Sequence, residues 1–235
     1  MHIGVGKLTE SSLKIRGIVT DIDGTLTGHD RRVSTGAIDA LRKVHDNGYK
    51  VILATGNVLP IAYAFHKMIG LDDAIVAENG GILYYRQKVE YLNNLLDAQR
   101  AYDFLRKQMK VERLFTDRWR FTEIALEPGP DIDLVRRLLR DFEVNVEDSG
   151  FAIHIEGRSY NKFTALQRAC GLMGIDVKEL ASFGDGANDI QMLAGCGAGI
   201  AVGNATEEAK GVATHTTEKK FGEGLVEGLE WLGIL

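Results

Sequence analysis

Apolar runs of only four to six residues, at 15–20, 50–54, 74–77, 180–183 and 198–202, constrain this chain most. Each is the length of a strand rather than of a helix, and most are separated by stretches with helical periodicity. Ser34 is a good N-cap for a helix that carries Ala37, Ile38, Leu41 and Val44 on one face and ends near Gly48. Pro60 suits the first turn of a helix running to about Ile69, and further helices are expected over 162–173, 188–193 and 221–231. Short apolar strands alternating with amphipathic helices predict an α/β fold, a Rossmann-like parallel sheet covered on both faces.

The middle of the chain breaks that rhythm. Helices are expected over 95–110 and 131–140, the latter after Pro128-Gly129-Pro130, and a strand over 121–127. Residues 143–146 and 151–155 read as two strands joined by Glu147-Asp148-Ser149-Gly150. Helices with paired short strands suggest a small α+β unit. The expected organisation is therefore a discontinuous core, 1–85 and 159–235, with an inserted α+β cap domain at 86–158.

Composition excludes several classes. A net charge of -5 argues against a general nucleic-acid binder, which needs a basic face, and leaves room only for a local basic patch. No apolar run approaches the roughly 20 residues that span a bilayer. Residues 1–14 lack an apolar signal core, so a cytoplasmic location without membrane association is expected. Cys170 and Cys196 lie far apart, fit a reducing compartment, and read as small buried apolar side chains.

Four polar clusters fall at strand ends or a helix start, where an open α/β sheet forms its ligand crevice. Asp21-Ile22-Asp23-Gly24-Thr25 follows the first strand. Its two carboxylates repel unless a cation such as Mg2+ neutralises them, and Gly24 permits close backbone approach to an anion. Thr55-Gly56-Asn57 follows the second strand and can offer a hydroxyl and backbone N–H to a phosphate, although taken alone a plain strand-to-helix turn accounts for it better. Lys162 opens a helix, where lysines are ordinarily solvated. Gly184-Asp185-Gly186-Ala187-Asn188-Asp189 sets two carboxylates toward one cation, with Asn188 able to hydrogen-bond them.

With these four clusters, in this order, the chain resembles the haloacid dehalogenase-like hydrolase superfamily. The insertion sits where the subfamily with α+β caps carries its cap, and the compact length is most similar to the archaeal-type phosphoglycolate phosphatases. Around the lysine, where members carry a form like Asp-Lys-Gly, this chain has Asn161-Lys162-Phe163. The resemblance implies a phosphomonoester hydrolase acting on a small phosphorylated metabolite, 2-phosphoglycolate foremost. Asp21 would be the nucleophile and Asp23 the general acid/base. Mg2+ would be held by Asp21, the Asp23 main-chain carbonyl, Asp185 and Asp189. Gly24, Thr55, Gly56, Asn57, Lys162 and Asn188 would hold the phosphoryl group and substrate. A sugar-phosphate phosphatase or a phosphomutase are sister readings. A receiver-like phospho-acceptor module is the rival from another class, but it has no place for the insertion.

In the insertion, Arg113, Arg118 and Arg120 are candidates to meet a substrate carboxylate, against the plainer account of exposed charges. Trp119 and Phe121 read as cap-core residues. His29, His66, His154 and His215 are scattered and receive no role. The C-terminal helix near Trp231 could pack on the core or on a second subunit, which keeps a homodimer open.

Overall fold

The structure is a computed structural model and describes residues 14–235; the leader reading of residues 1–13 lies outside the described residues. In chain order the elements are β1 (Gly17–Thr20), α1 (Thr35–Asp46), β2 (Lys50–Ala54), α2 (Leu59–Ile69), β3 (Ile75–Ala77), β4 (Ile82–Tyr85) and β5 (Lys88–Tyr91). They continue as α3 (Leu95–Gln108), β6 (Glu123–Leu126), α4 (Ile132–Leu139), β7 (Val144–Asp148), β8 (Ile153–Gly157) and α5 (Lys162–Met173). The chain closes with β9 (Leu180–Gly184), α6 (Ile190–Gly195), β10 (Ala198–Ala201), α7 (Glu207–Val212), β11 (His215–Thr216) and α8 (Phe221–Trp231).

The larger sheet has the order β11-β10-β9-β1-β2-β3-β4-β5, parallel except that β4 runs antiparallel to both β3 and β5. Its central strand shows why it is central. Ile18 faces the cluster formed with Leu41, Val44 and Leu225, while Val19 faces the opposite cluster with Leu166, Ala169 and Met192. Alternate residues thus bury on opposite faces, so the strand must be apolar throughout. In α1, Ser34 accepts a hydrogen bond from the Ala37 N–H (3.3 Å), and Ala37, Ala40, Leu41 and Val44 form the buried stripe. The C-terminal helix α8 packs on the core, not on empty surface. A Cβ at Gly228 would lie 2.6 Å from the Phe183 ring, so only glycine permits this approach.

The smaller sheet, β6-β8-β7, is antiparallel. Its apolar face (Ile124, Ile155, Val146) packs on α3 and α4 through Ala98, Leu105, Val135 and Leu139.

Two expectations need correction. The boundary at residue 86 falls inside a hairpin, because β5 is the outermost strand of the large sheet. Arg86 and Gln87 both adopt positive φ (47° and 64°) to make the two-residue turn that the twist of a hairpin favours. Asn-Gly would have announced it, and Arg-Gln does not. The hairpin expected to turn at 147–150 instead turns over Ser149 to Ala152: the Ser149 N–H donates to the Ala152 carbonyl (3.1 Å), and the Ala152 N–H donates to the Ser149 hydroxyl (3.2 Å). The short α7 and β11 were not anticipated. No helix among the described residues is long and apolar enough to cross a membrane.

Candidate active site

The carboxyl ends of β1 and β9 lie side by side, with the Asp21 N–H donating to the Phe183 carbonyl (3.0 Å). This places the first and fourth sequence clusters together. Lys162 joins them from the start of α5: its Nζ donates to Asp21 Oδ1 (2.6 Å) and Asp189 Oδ1 (2.8 Å). The lysine is 1% exposed, against the solvated position expected of a helix-start lysine. Burial works against its charge, but Asp189 and Asp21 outweigh that and hold the ammonium above its ordinary range. Asn161 caps α5 with a reciprocal bond to Thr164, doing what an aspartate would do there, and Phe163 packs against Gly195.

Asp189 uses its second oxygen, Oδ2, to accept the backbone N–H groups of Asp185 (3.0 Å) and Gly186 (3.2 Å). Asp185 accepts from the Thr25 hydroxyl (2.9 Å), and the backbone of Gly24, at φ 88°, passes directly over its carboxylate. Any side chain at residue 24 would collide with Asp185. Carboxylate oxygens of Asp21, Asp185 and Asp189 lie within 4.8 Å of one another. Burial, then the Asp189 charge, pushes Asp185 up to about 7. Burial raises Asp21 as well, with Lys162 opposing and the neighbouring aspartates adding to the shift. Three carboxylates at this spacing, two buried and one half-buried, carrying more negative charge than one lysine offsets, fit a hard divalent cation such as Mg2+.

The remaining sequence candidates sit around this centre in varied ways. Asp23 accepts from the Asn57 side-chain amide, and burial raises its pKa. Thr55 is fully buried at the end of β2, its hydroxyl accepting the Asn57 N–H (3.0 Å). The Gly56 carbonyl takes a hydrogen bond from Arg120 (2.8 Å). Two contacts differ from expectation. The Gly24 N–H donates to the Thr27 hydroxyl (3.2 Å), and Asn188 donates to the Asn79 side chain (3.1 Å) instead of bonding the carboxylates.

A polar seam ties the small sheet to this centre. Asn79 bonds Glu123 (3.1 Å), which also pairs with Arg120 and with His154 Nδ1 (3.0 Å). Against the cost of burial, Arg120 and His154 hold the Glu123 carboxyl down at about 2. Glu78 accepts the N–H groups of Phe121 and Thr122 and the Thr122 hydroxyl (2.6 Å). Sequence reasoning missed Glu78, Asn79, Glu123 and His154, because the pair 78–79 lies far along the chain from Glu123 and His154 and none stands in a motif.

A cavity of about 500 Å3 lies over Asp21 and Asp23. Its roof is Phe115, Arg120, His154 and the hairpin tip at Ser149 and Phe151, while Arg31 and Asn57 come from the core below. Of the three insertion arginines, only Arg120 lines it. Arg113 is paired with Asp117 (3.2 Å), and Arg118 stacks on Phe115. Trp119 and Phe121 are 42% and 57% exposed, so they do not form the insertion's core.

Comparison with known proteins agrees with this geometry. The family model described as haloacid dehalogenase-like hydrolase matches residues 18–122 and 128–229. The chain is 39% identical over 215 residues to the phosphoglycolate phosphatase of Methanothermobacter thermautotrophicus, covering 92% of this chain and 97% of that protein. It is also 39% identical over 224 residues to the phosphoglycolate phosphatase of Archaeoglobus fulgidus, covering 94% and 99%. Among solved structures, Thermoplasma acidophilum 0175 superposes with a TM-score of 0.87 at 26% identity, covering 94% of this chain and 99% of that one. A phosphatase of the same superfamily from Bacteroides thetaiotaomicron shares the fold, with a TM-score of 0.80 at 23% identity, covering 99% and 100%.

Proposed function

This chain belongs to the haloacid dehalogenase-like hydrolases, and from that premise we propose that it hydrolyses 2-phosphoglycolate to glycolate and phosphate with the help of Mg2+. The observation that carries the reaction type is Lys162, enclosed between Asp21 and Asp189 beside Asp185 and beneath the cavity. Support for the substrate comes from the relatives named phosphoglycolate phosphatase, 33–39% identical over nearly their whole length.

Asp21 attacks phosphorus, the bond to the glycolate oxygen breaks, and an aspartyl-phosphate forms. Asp23 gives its proton to the departing oxygen, a role suited to a carboxyl whose pKa burial has raised. Asp23 then takes a proton from water as the water attacks phosphorus and releases Asp21 and phosphate. Thr55, Gly56, Asn57, Lys162 and Asn188 hold the phosphoryl group and substrate, and Asn57 also keeps Asp23 in place. When bound by Asp21, Asp185, Asp189 and the Asp23 carbonyl, Mg2+ offsets the repulsion between an anionic nucleophile and an anionic ester.

The test is phosphate release from 2-phosphoglycolate with Mg2+ and with EDTA. Wild-type protein should release phosphate only with the metal. Asp21→Asn should release none and show no phosphorylated protein by mass spectrometry. Asp23→Asn should be slower by about a hundredfold or more. Turnover of sugar phosphates in place of 2-phosphoglycolate would overturn the substrate assignment, and an active Asp21→Asn protein would overturn the nucleophile.

A further inference from the structure

We propose that Arg31, and not an arginine of the insertion, is the specificity-determining residue that grips the carboxylate of the substrate. The inference rests on the phosphoglycolate reading and names the part of the site that would recognise the acid.

Three observations converge on Arg31. First, it lines the cavity without belonging to any ion pair among the described residues. Its neighbour Asp30 is occupied by Arg32, accepting the Arg32 N–H at 3.0 Å and lying 3.5 Å from its guanidinium. The other cations near the cavity are already engaged. Lys162 is held between two aspartates, and Arg120 is locked to Glu123 and to the Gly56 carbonyl. Second, Arg31 is held in place. Its backbone is fixed at φ 60° in a turn closed by its N–H on the Gly28 carbonyl (2.9 Å). Its guanidinium lies 4.6 Å from the centre of the Phe151 ring, at the tip of the insertion's hairpin. Third, it stands on the correct side of the reaction. Arg31 and Asp23 line the same cavity, with Asn57 and the Phe151 hairpin tip beside them.

The chemistry of the ester gives that position its meaning. In phosphoglycolate one methylene separates the leaving oxygen from the carboxylate. An oxygen that takes its proton from Asp23 therefore brings the carboxylate into the neighbourhood of Asp23, where Arg31 supplies an unneutralised planar cation. Guanidinium binds carboxylate through two parallel hydrogen bonds, and stacking on Phe151 leaves its edge open for them. Because Arg31 is on the core and Phe151 on the insertion, the acid would also draw the two walls of the cavity together.

The experiment compares 2-phosphoglycolate with 2-hydroxyethyl phosphate, which replaces the carboxylate by an uncharged alcohol. The quantity read is the ratio of kcat/KM for the two esters in wild type, Arg31→Gln, Arg31→Lys and Phe151→Ala, with circular dichroism to verify the fold. The expected result is a wild-type preference for the acid that falls roughly tenfold or more in Arg31→Gln, mainly through KM. Arg31→Lys should recover part of it, and Phe151→Ala should lose part. A merely structural role would lower both esters together and leave the ratio unchanged. A wild-type preference that survives intact in Arg31→Gln overturns this inference alone. A wild type that shows no preference for the acid overturns the phosphoglycolate reading and this inference with it.

Discussion

Lys162 shows how completely location can redefine a residue. In sequence it is one lysine at a helix start; in the fold it is enclosed, with Asp21 and Asp189 as its neutralising partners among the described residues. Removing one member of a buried ion pair leaves the other charges uncompensated. Lys162→Met should therefore destabilise the metal-free protein by about 3 kcal/mol or more, read by urea unfolding in EDTA. An unchanged midpoint would contradict that. His66 makes a second case. It is fully buried in α2, and burial pushes its ring down to about 4 from an ordinary 6.5. The sign follows from proton binding: below 6.5 the unfolded chain takes up a proton that the folded chain refuses until pH 4. This stability is present above 6.5 and lost as pH falls through 4. His66→Leu should then lose less stability than wild type between pH 7.5 and 4.5, measured by thermal melts. Asp21 and Asp185 were legible because glycine and strand endings frame them. The burial of Lys162 and His66 was not, since it depends on chain segments far away in sequence.

At the scale of elements, the turn from β3 to β4 joins the two units. Glu78 there holds the entry to β6 through the backbone of Phe121 and Thr122. Burial, then the nearby Glu123 charge, raises Glu78 to about 7 from 4.5. A raised carboxyl binds its proton more tightly in the folded chain. Its contribution is fully present below pH 4.5 and lost as pH rises through 7. Wild type should therefore lose stability relative to Glu78→Gln between pH 5 and 8, and a difference in melting temperature that ignores pH would refute it. Helices were the most legible elements. The cap at Ser34 and the apolar stripe placed α1, and α8 begins and ends where its periodicity does. Strands at the insertion's border were less so. Their turns rest on Arg86 and Gln87 in left-handed conformations that no residue preference announces.

For the whole molecule, the site is a space between two units, each with its own apolar cluster. Substrate entry and product departure must pass between walls drawn from both. A reversible bifunctional thiol reagent joining Arg31→Cys to Phe151→Cys should lower turnover, and reductant should restore it. The native thiols will not interfere, because Cys170 and Cys196 are buried and burial pushes both up to about 12. Unimpaired turnover in the tied protein would show that the walls need not part. The alternating rhythm of the sequence carried the α/β core, and its break in the middle of the chain coincides with the smaller sheet. It could not carry the cavity, whose lining joins Arg31 to Phe151 and Asn57 to Arg120 across long stretches of chain. The large sheet also has two outer margins. One is β11, only two residues long, and the other is β5, where Lys88 and Glu90 stand on the rim and Glu90 is anchored to Arg168. A margin that is too brief, and another studded with charge, give a stray strand little to zip onto. These two margins should therefore resist growing into sheet-to-sheet polymers when the protein is crowded.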